Sequence, residues 1–101
     1  MWADFELKNV GKREVRQFVK EWNEKYNPGL KLILDQCEKD RLAYNLYFFD
    51  AIWSTKYGPD NVGFVAFDWV DRKRKIAKVS LSRCSESFIS SFRMDLEYFF
   101  S

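Results

Sequence analysis

The most informative pattern of polar and apolar positions lies in residues 62–83, where two apolar-rich runs flank four consecutive cations. Each run alternates between apolar and more polar residues. The alternate apolar positions are Val65, Phe67 and Trp69 before the cations and Ala77, Val79 and Leu81 after them. Alternation of this kind is typical of a strand with one buried face. The stretch therefore predicts a β-hairpin at the centre of a small sheet.

The register of this hairpin is constrained by the residue numbers of its two apolar sets. Both sets are odd-numbered, so paired residues must have numbers with an even sum if the sets share a face. A two-residue loop at Arg72-Lys73 would break that rule and set Lys78 beside Phe67 on the core side. We therefore predict a loop of three or five residues and not a tight two-residue turn. Such loops usually need Gly or Asn in a left-handed position, and the absence of both predicts a turn that is either slightly strained or mobile.

Two other stretches have the spacing of amphipathic helices. The first is 12–26, with apolar positions Val15, Phe18, Val19, Trp22 and Tyr26. The second is 86–100, with a stripe of Phe88, Phe92, Leu96 and Phe99, widened by Ile89 and Phe100. Ser85 or Ser87 can cap its start, because serine side chains accept hydrogen bonds from the first backbone N–H groups of a helix.

The remaining segments predict further strands. Residues 3–10 alternate weakly and predict a short edge strand, and 30–37 predict a strand with Leu30, Leu32 and Leu34 on one face. Residues 41–54 fit both a strand and a helix, and their content of Tyr, Phe, Ile and Trp favours the strand.

The predicted fold class is α+β: an antiparallel sheet of four or five strands with two amphipathic helices, in the order (β)αββββα. The 101 residues predict a single globular domain spanning 1–101. The sequence leaves open whether both helices cover one face of the sheet or each covers a different face.

Composition removes several kinds of chemistry. The chain has no histidine, which is the usual general base and zinc ligand. Its two cysteines, Cys37 and Cys84, are too few for a disulfide framework or a metal site. The start of the chain lacks the pattern of a secretion signal, and no apolar run is long enough for a membrane span. We expect an intracellular, cytoplasmic protein that uses no cofactor, no metal and no catalytic residue.

One string resembles metal-dependent nucleases. Pro59-Asp60 followed by Asp71-Arg72-Lys73 fits their loose PD…(D/E)xK pattern. That chemistry needs both carboxylates on one metal ion. The two aspartates bracket a single predicted strand, whose ends lie roughly 30 Å apart at ~3.3 Å per residue. We interpret them as turn residues.

Charge is placed unevenly along the chain. Its net charge is +2, but no acid lies between Arg72 and Ser85. The cations of this basic ribbon are Arg72, Lys73, Arg74, Lys75, Lys78 and Arg83. Elsewhere 11 cations face 15 acids, a net of −4. A solvated tip that protects the sheet from edge pairing explains the ribbon in structural terms. Contact with phosphates or with an acidic protein surface is the functional alternative.

Exposed aromatic and apolar side chains are the other candidates. The outward face of the hairpin carries Phe64 and Ile76 beside Lys78, an arrangement that single-strand binders use to stack bases. Trp2, near the terminus, and Tyr57, in a turn, would be interface residues if they were exposed together. We expect Trp22 and Trp69 to belong to the core.

These observations lead to two functional hypotheses, both non-enzymatic. The first is a protein–protein binder that inhibits or modulates its target, since small, aromatic-rich chains without catalytic residues are common among virus-encoded inhibitors of host defence. It would then act in an infected host cell. The second is binding of RNA or single-stranded DNA through the basic hairpin at 72–83. A macromolecular target is expected in both, with no membrane partner, and a homodimer is left open.

Overall fold

The computed structural model describes residues 2–26, 29–34 and 46–101. It contains five strands and two helices in the predicted order. They are β1 (Trp2–Leu7), α1 (Lys12–Tyr26), β2 (Leu30–Leu34), β3 (Leu46–Thr55), β4 (Gly58–Asp71), β5 (Ile76–Ser82) and α2 (Glu86–Phe99). The prediction of an α+β fold with an antiparallel sheet is confirmed, and the sheet has five strands.

The strands lie side by side in the order β1-β5-β4-β3-β2, and every neighbouring pair is antiparallel. The segment predicted as a short edge strand, β1, does lie at an edge. Because β1 and β2 occupy opposite edges, α1 carries the chain across the whole sheet. Neither of the two helices that the structure describes is long and apolar enough to span a membrane.

The inner face of the sheet forms the core, as the alternation predicts. The six odd-numbered apolar positions of the central hairpin are all buried: Val65, Phe67, Trp69, Ala77, Val79 and Leu81. Phe67 pairs with Val79, and Trp69 pairs with Ala77, so both pairs have the predicted even sum. The indole N–H of Trp69 donates a hydrogen bond to the carbonyl oxygen of Val10, which satisfies a polar group inside this core.

Both helices pack on this inner face and contact each other there. The ring centroids of Phe18 in α1 lie 5.6 Å from Phe92 and 5.3 Å from Phe99 in α2, in edge-to-face geometry. The ring of Trp22 lies 5.5 Å from Phe92. Both helices share one cluster with the inward strand residues. Neither helix covers the opposite face of the sheet, which we call the open face.

The loop of the central hairpin differs from the prediction. Beyond the pair Trp69–Ala77 the register shifts, and the next pair is Asp71 with Ile76. The loop is therefore Arg72–Lys75, four residues long, and the predicted length of three or five is wrong. The reason is a β-bulge at Val70, which adds one unpaired residue to β4 and changes the parity.

The exclusion of a two-residue turn is confirmed, and so is the expectation of strain. Lys75 has a φ of 57°, in the left-handed region that usually requires Gly or Asn. Its backbone N–H donates to the carbonyl oxygen of Arg72 at 3.3 Å, which closes the turn.

The other segments agree with the prediction where the structure describes them. Residues 46–54 are strand, as favoured over helix, whereas 41–45 lie outside the described residues. Residues 30–34 are strand, and the predicted continuation to Cys37 also lies outside them. Ser85 is the N-cap of α2, accepting a hydrogen bond from the backbone N–H of Phe88 at 3.1 Å.

The strained turn predicts the effect of two glycine substitutions. Lys75→Gly removes a left-handed cost of about 1–2 kcal/mol, whereas Lys73→Gly only adds chain flexibility, about 0.5–1 kcal/mol. Loss of the exposed ion pair between Lys75 and Glu14 offsets part of the gain. Urea denaturation should find Lys75→Gly more stable than Lys73→Gly by about 1 kcal/mol. Equal stabilities would contradict the turn geometry.

Candidate functional site

The open face of the sheet consists of the outward-pointing residues of all five strands. None of the outward residues that the structure describes in these strands is buried. Phe64 and Lys78, two of the candidates from sequence, lie on this face, and Ile76 lies at its end beside the turn. Trp2 is level with Phe64, because both residues pair with Ser82 from opposite sides.

Aromatic side chains form the centre of the open face. The rings of Phe48 and Phe64 lie 5.5 Å apart on adjacent strands, and Ala66 pairs with Phe48 beside them. The guanidinium carbon of Arg83 lies 5.9 Å from the centroid of the Phe64 ring. Ile33, 50% exposed on β2, extends the apolar surface toward one edge. Phe64 was predicted from the sequence and Phe48 was not, because the pairing of β3 with β4 was not predicted.

Charged residues of both signs surround this centre. The carboxylates are Asp4, Glu6, Asp50 and Asp68, and the cations are Lys31, Lys78 and Arg83. The Nζ of Lys78 lies 3.7 Å from a carboxylate oxygen of Asp4. The open face is therefore close to neutral, and it is not the basic, base-stacking surface that Phe64 and Lys78 suggest when taken alone.

The basic ribbon does not form one continuous surface. The tip 72–75 and Arg83 lie at opposite ends of β5, roughly 23 Å apart at ~3.3 Å per residue. Two of the tip cations have acidic partners. The Nε of Arg74 lies 3.7 Å from Asp71, and the Nζ of Lys75 lies 3.2 Å from Glu14. These groups are largely exposed, so each pair contributes little to stability, on the order of 0–1 kcal/mol.

The tip is joined to the start of α1, and this is the larger basic feature. The backbone N–H of Val10 donates to the carbonyl oxygen of Lys75 at 2.8 Å, which brings the two segments together. We call segments 12–16 and 71–75 the basic end. It carries seven cations and two carboxylates, a net charge of +5, whereas the rest of the chain has a net charge of −3.

A cavity of about 370 Å³ lies at this junction, and we call it the basic cavity. Its lining residues are Gly11, Lys12, Arg13, Glu14, Trp69, Arg72 and Lys75. Arg72 and Lys75 were candidates from the sequence, whereas Lys12 and Arg13 were not. Only the pairing of β1 with β5 places residue 10 beside residue 75, and the apolar pattern does not specify that pairing.

Glu14 is the carboxylate that lines the basic cavity. Its own backbone N–H and the ammonium of Lys75 lower the pKa of its carboxyl group below the ordinary value of 4.5. The carboxylate also occupies the position that a Cβ atom on residue 11 would take, so a glycine there leaves it room. The carboxylate of Glu14 thus connects the start of α1 with the tip of the central hairpin.

A second cavity is an apolar groove of about 480 Å³ at the other end of the molecule. It is lined by residues of α1, of the first half of α2 and of strands β2, β3 and β4. Its lining residues are Trp22, Leu30, Trp53, Val62, Ser85, Ser87, Phe88, Ser91 and Phe92. This groove was not predicted from the sequence.

Trp2 and Tyr57 are both exposed, at 65% and 88%, but they are not brought together. Tyr57 lies in the turn before Gly58, and Trp2 is level with Phe64. Six residues of strand separate Gly58 from Phe64, roughly 20 Å at ~3.3 Å per residue. A shared interface patch formed by Trp2 and Tyr57 is therefore not present.

The geometry bears on chemistry in three places. Asp60 and Asp71 lie at opposite ends of β4, eleven residues apart, which is roughly 36 Å of strand and too far to share a metal ion. No group of three or more acidic or cysteine side chains in the described ranges could hold a metal.

Cys84 is buried, and burial raises the pKa of its thiol. Cys37 lies outside the described residues.

The chain matches no protein family, no curated protein and no solved structure. The arrangement of its surfaces is therefore the ground for a functional proposal. Those surfaces are the open face, the basic end and the apolar groove.

The position of Glu14 predicts a pH-dependent stability. The pKa of Glu14 is lower in the folded chain than in the unfolded chain, so its carboxylate stabilises the fold fully at pH values above the ordinary pKa. This stabilisation is lost as the pH falls through the pKa of the folded chain. The free energy of unfolding of Glu14→Gln should lie below that of the original chain at pH 7. This difference should narrow at pH values below 4.5.

Urea denaturation between pH 7 and pH 3 measures this difference. Glu24→Gln, near the other end of α1, controls for the loss of one negative charge. A difference for Glu14→Gln that stays constant over this pH range, or that Glu24→Gln reproduces, would show that the placement of Glu14 has no energetic effect.

Proposed function

We propose that the protein is a non-enzymatic binding protein that docks another protein onto its open face. The supporting observation is the contact between Phe48 and Phe64 on a sheet face that neither helix covers. Aromatic side chains on such a face gain free energy when a partner removes them from water.

The composition of the open face favours a protein over a nucleic acid. Protein interfaces have an apolar, aromatic centre and a polar rim, and arginine is enriched in them. Phe48, Phe64 and Arg83 fit that centre. The surrounding charges have both signs, and the four carboxylates would repel the phosphates of a nucleic-acid strand.

The size of the open face indicates what kind of interface it can form. Five strands at about 4.8 Å spacing and six residues at ~3.3 Å give a flat area of roughly 480 Å². A stable interface of standard size buries about 800 Å² on each partner. The partner is therefore expected to reach beyond the open face, onto the edge near Trp2 or the sides of the sheet.

A protein that covers a partner's surface with a rigid sheet blocks that surface, so we propose inhibition or modulation as the outcome of binding. A virus-encoded inhibitor of host defence, acting in the cytoplasm of an infected cell, is the specific form that we propose. The short, aromatic-rich chain supports this form, since 19% of its residues are aromatic.

A second candidate function is binding of RNA or single-stranded DNA at the basic end. The observation that favours it is the net charge of +5 in segments 12–16 and 71–75. Phosphate binding by such a surface falls steeply with salt, by about 0.7 log units per log unit of salt for each single-strand phosphate neutralised.

Affinity capture with paired variants tests the proposal. The double variant Phe48→Ala/Phe64→Ala should lose a partner that the original chain captures from an extract treated with nuclease. Tyr98→Ala is the matched control, since Tyr98 is 86% exposed on α2, away from the open face. Circular dichroism verifies that each variant is folded. Only the double variant should lose capture. Its Kd for the purified partner should be at least tenfold higher than that of the original chain.

Two outcomes would contradict the proposal. Capture that survives Phe48→Ala/Phe64→Ala would show that the open face is not the docking surface. If nuclease treatment abolishes capture, and neutralising Arg72 and Lys73 abolishes it as well, the second candidate would be favoured. A self-associated chain without any other partner would point instead to a homodimer across this face.

A further inference from the structure

The basic cavity has the features of a site for a small, highly charged anion. Four cationic side chains from two separate elements line it: Lys12, Arg13, Arg72 and Lys75. Glu14 is the single carboxylate among its lining residues. These cations repel one another, and the backbone hydrogen bond between Val10 and Lys75 holds their two segments together.

Electrostatics favours an anion at this position. Cations gathered around one space repel each other, and one carboxylate leaves the lining with a net charge of +3. The first backbone N–H groups of α1 have no partner within the helix and add positive potential at the same place. A group with two negative charges would neutralise more of this charge than the single charge of Glu14 does.

We propose that the basic cavity binds a phosphoryl group, in the form of a phosphomonoester or a diphosphate. The planar guanidinium groups of Arg13 and Arg72 suit phosphate oxygens, and lysine ammonium groups serve as point charges. The proposal does not depend on the open face, because Trp69 and the other lining residues lie on the inner side and at the end of the sheet.

Glu14 acts in this site as an internal competitor. Its carboxylate contacts Lys75 at 3.2 Å and turns back to the start of the helix, beside Gly11. It therefore shows where an oxyanion is held when no ligand is present. A phosphoryl group would displace it, so removing or moving this carboxylate should strengthen binding.

The volume of the cavity limits the ligand. The cavity has a volume of about 370 Å³ and is open to solvent. This volume is more than a lone phosphate needs and is within the range of small-molecule pockets. A diphosphate fits, as does a terminal phosphate together with part of the group that carries it, next to the indole of Trp69.

The experiment uses the full chain and sodium pyrophosphate as the probe. Titration at low ionic strength, followed by amide and indole NMR signals, should give saturable one-to-one binding. The shifts should concentrate at Gly11, Lys12, Arg13 and the Trp69 indole. Arg13→Gln and Arg72→Gln should each weaken binding by about tenfold, the equivalent of one charge-assisted contact.

Lys56→Gln is the control for net charge, because Lys56 lies in the turn at the opposite end of β4. It should leave the affinity within about twofold of the original chain. Binding that does not saturate, or that Lys56→Gln weakens as much as Arg72→Gln, would show diffuse attraction of anions and would overturn the proposal.

Two variants test the competitor role of Glu14 separately from its structural role. Glu14→Gln removes the charge, and Gly11→Ala keeps the charge but places a methyl group where the carboxylate lies. Both should bind pyrophosphate more tightly, Glu14→Gln by about tenfold. A purely structural Glu14 predicts unchanged or weaker binding in both. If Glu14→Gln does not fold, Gly11→Ala decides the question.

The source of the phosphoryl group is distinguished by paired ligands. One pair is a single-stranded oligonucleotide with a 5′-phosphate or a 5′-hydroxyl, and the other is one peptide with phosphoserine or serine. A gain of at least tenfold from the phosphate in either pair supports the site and identifies its class. Equal affinity within both pairs, together with no saturable binding of pyrophosphate, would contradict it.

Discussion

The structure depends on one packing constraint: both helices must share the inner face of the sheet. Edge-to-face contacts of Phe18 and Trp22 in α1 with Phe92 in α2 satisfy this constraint. Each helix alone has an apolar stripe that could cover either face. Joined through their aromatic rings, the two helices form one layer, and neither of them covers the other face of the sheet.

The same arrangement separates charge from apolar surface. The crossing of α1 from one edge of the sheet to the other starts beside β5, so its basic first turn meets the basic tip of the central hairpin. The bulge at Val70 and the left-handed Lys75 shape that tip. The result is a molecule with a basic end and a nearly neutral, aromatic open face. We propose a different kind of ligand for each.

Local patterning was enough to predict the elements and the inner face. The parity of Val65, Phe67, Ala77 and Val79 determined the register, because a sheet residue can point to only two sides. Parity did not predict the length of the loop, since a bulge adds one residue without any signal in the apolar pattern. No Gly or Asn marks the position that Lys75 occupies.

The candidate sites were less predictable because they depend on contacts between distant segments. Phe64 and Arg72 were identified from their neighbours in sequence. Phe48, Lys12 and Arg13 were missed, since their roles depend on which strands pair and on where α1 begins relative to the hairpin. Trp2 and Tyr57 were grouped by exposure alone, and strand length shows that they are far apart.

The openness of the outer sheet face is the central claim, and side-chain footprinting in solution tests it most directly. Hydroxyl-radical labelling of the purified chain should modify Phe48 and Phe64, which are half-buried on the outer face. It should leave Phe49 and Phe67, their neighbours on the inner face, protected until the chain is unfolded. Equal protection of all four rings would show that the outer face is covered and would contradict the account.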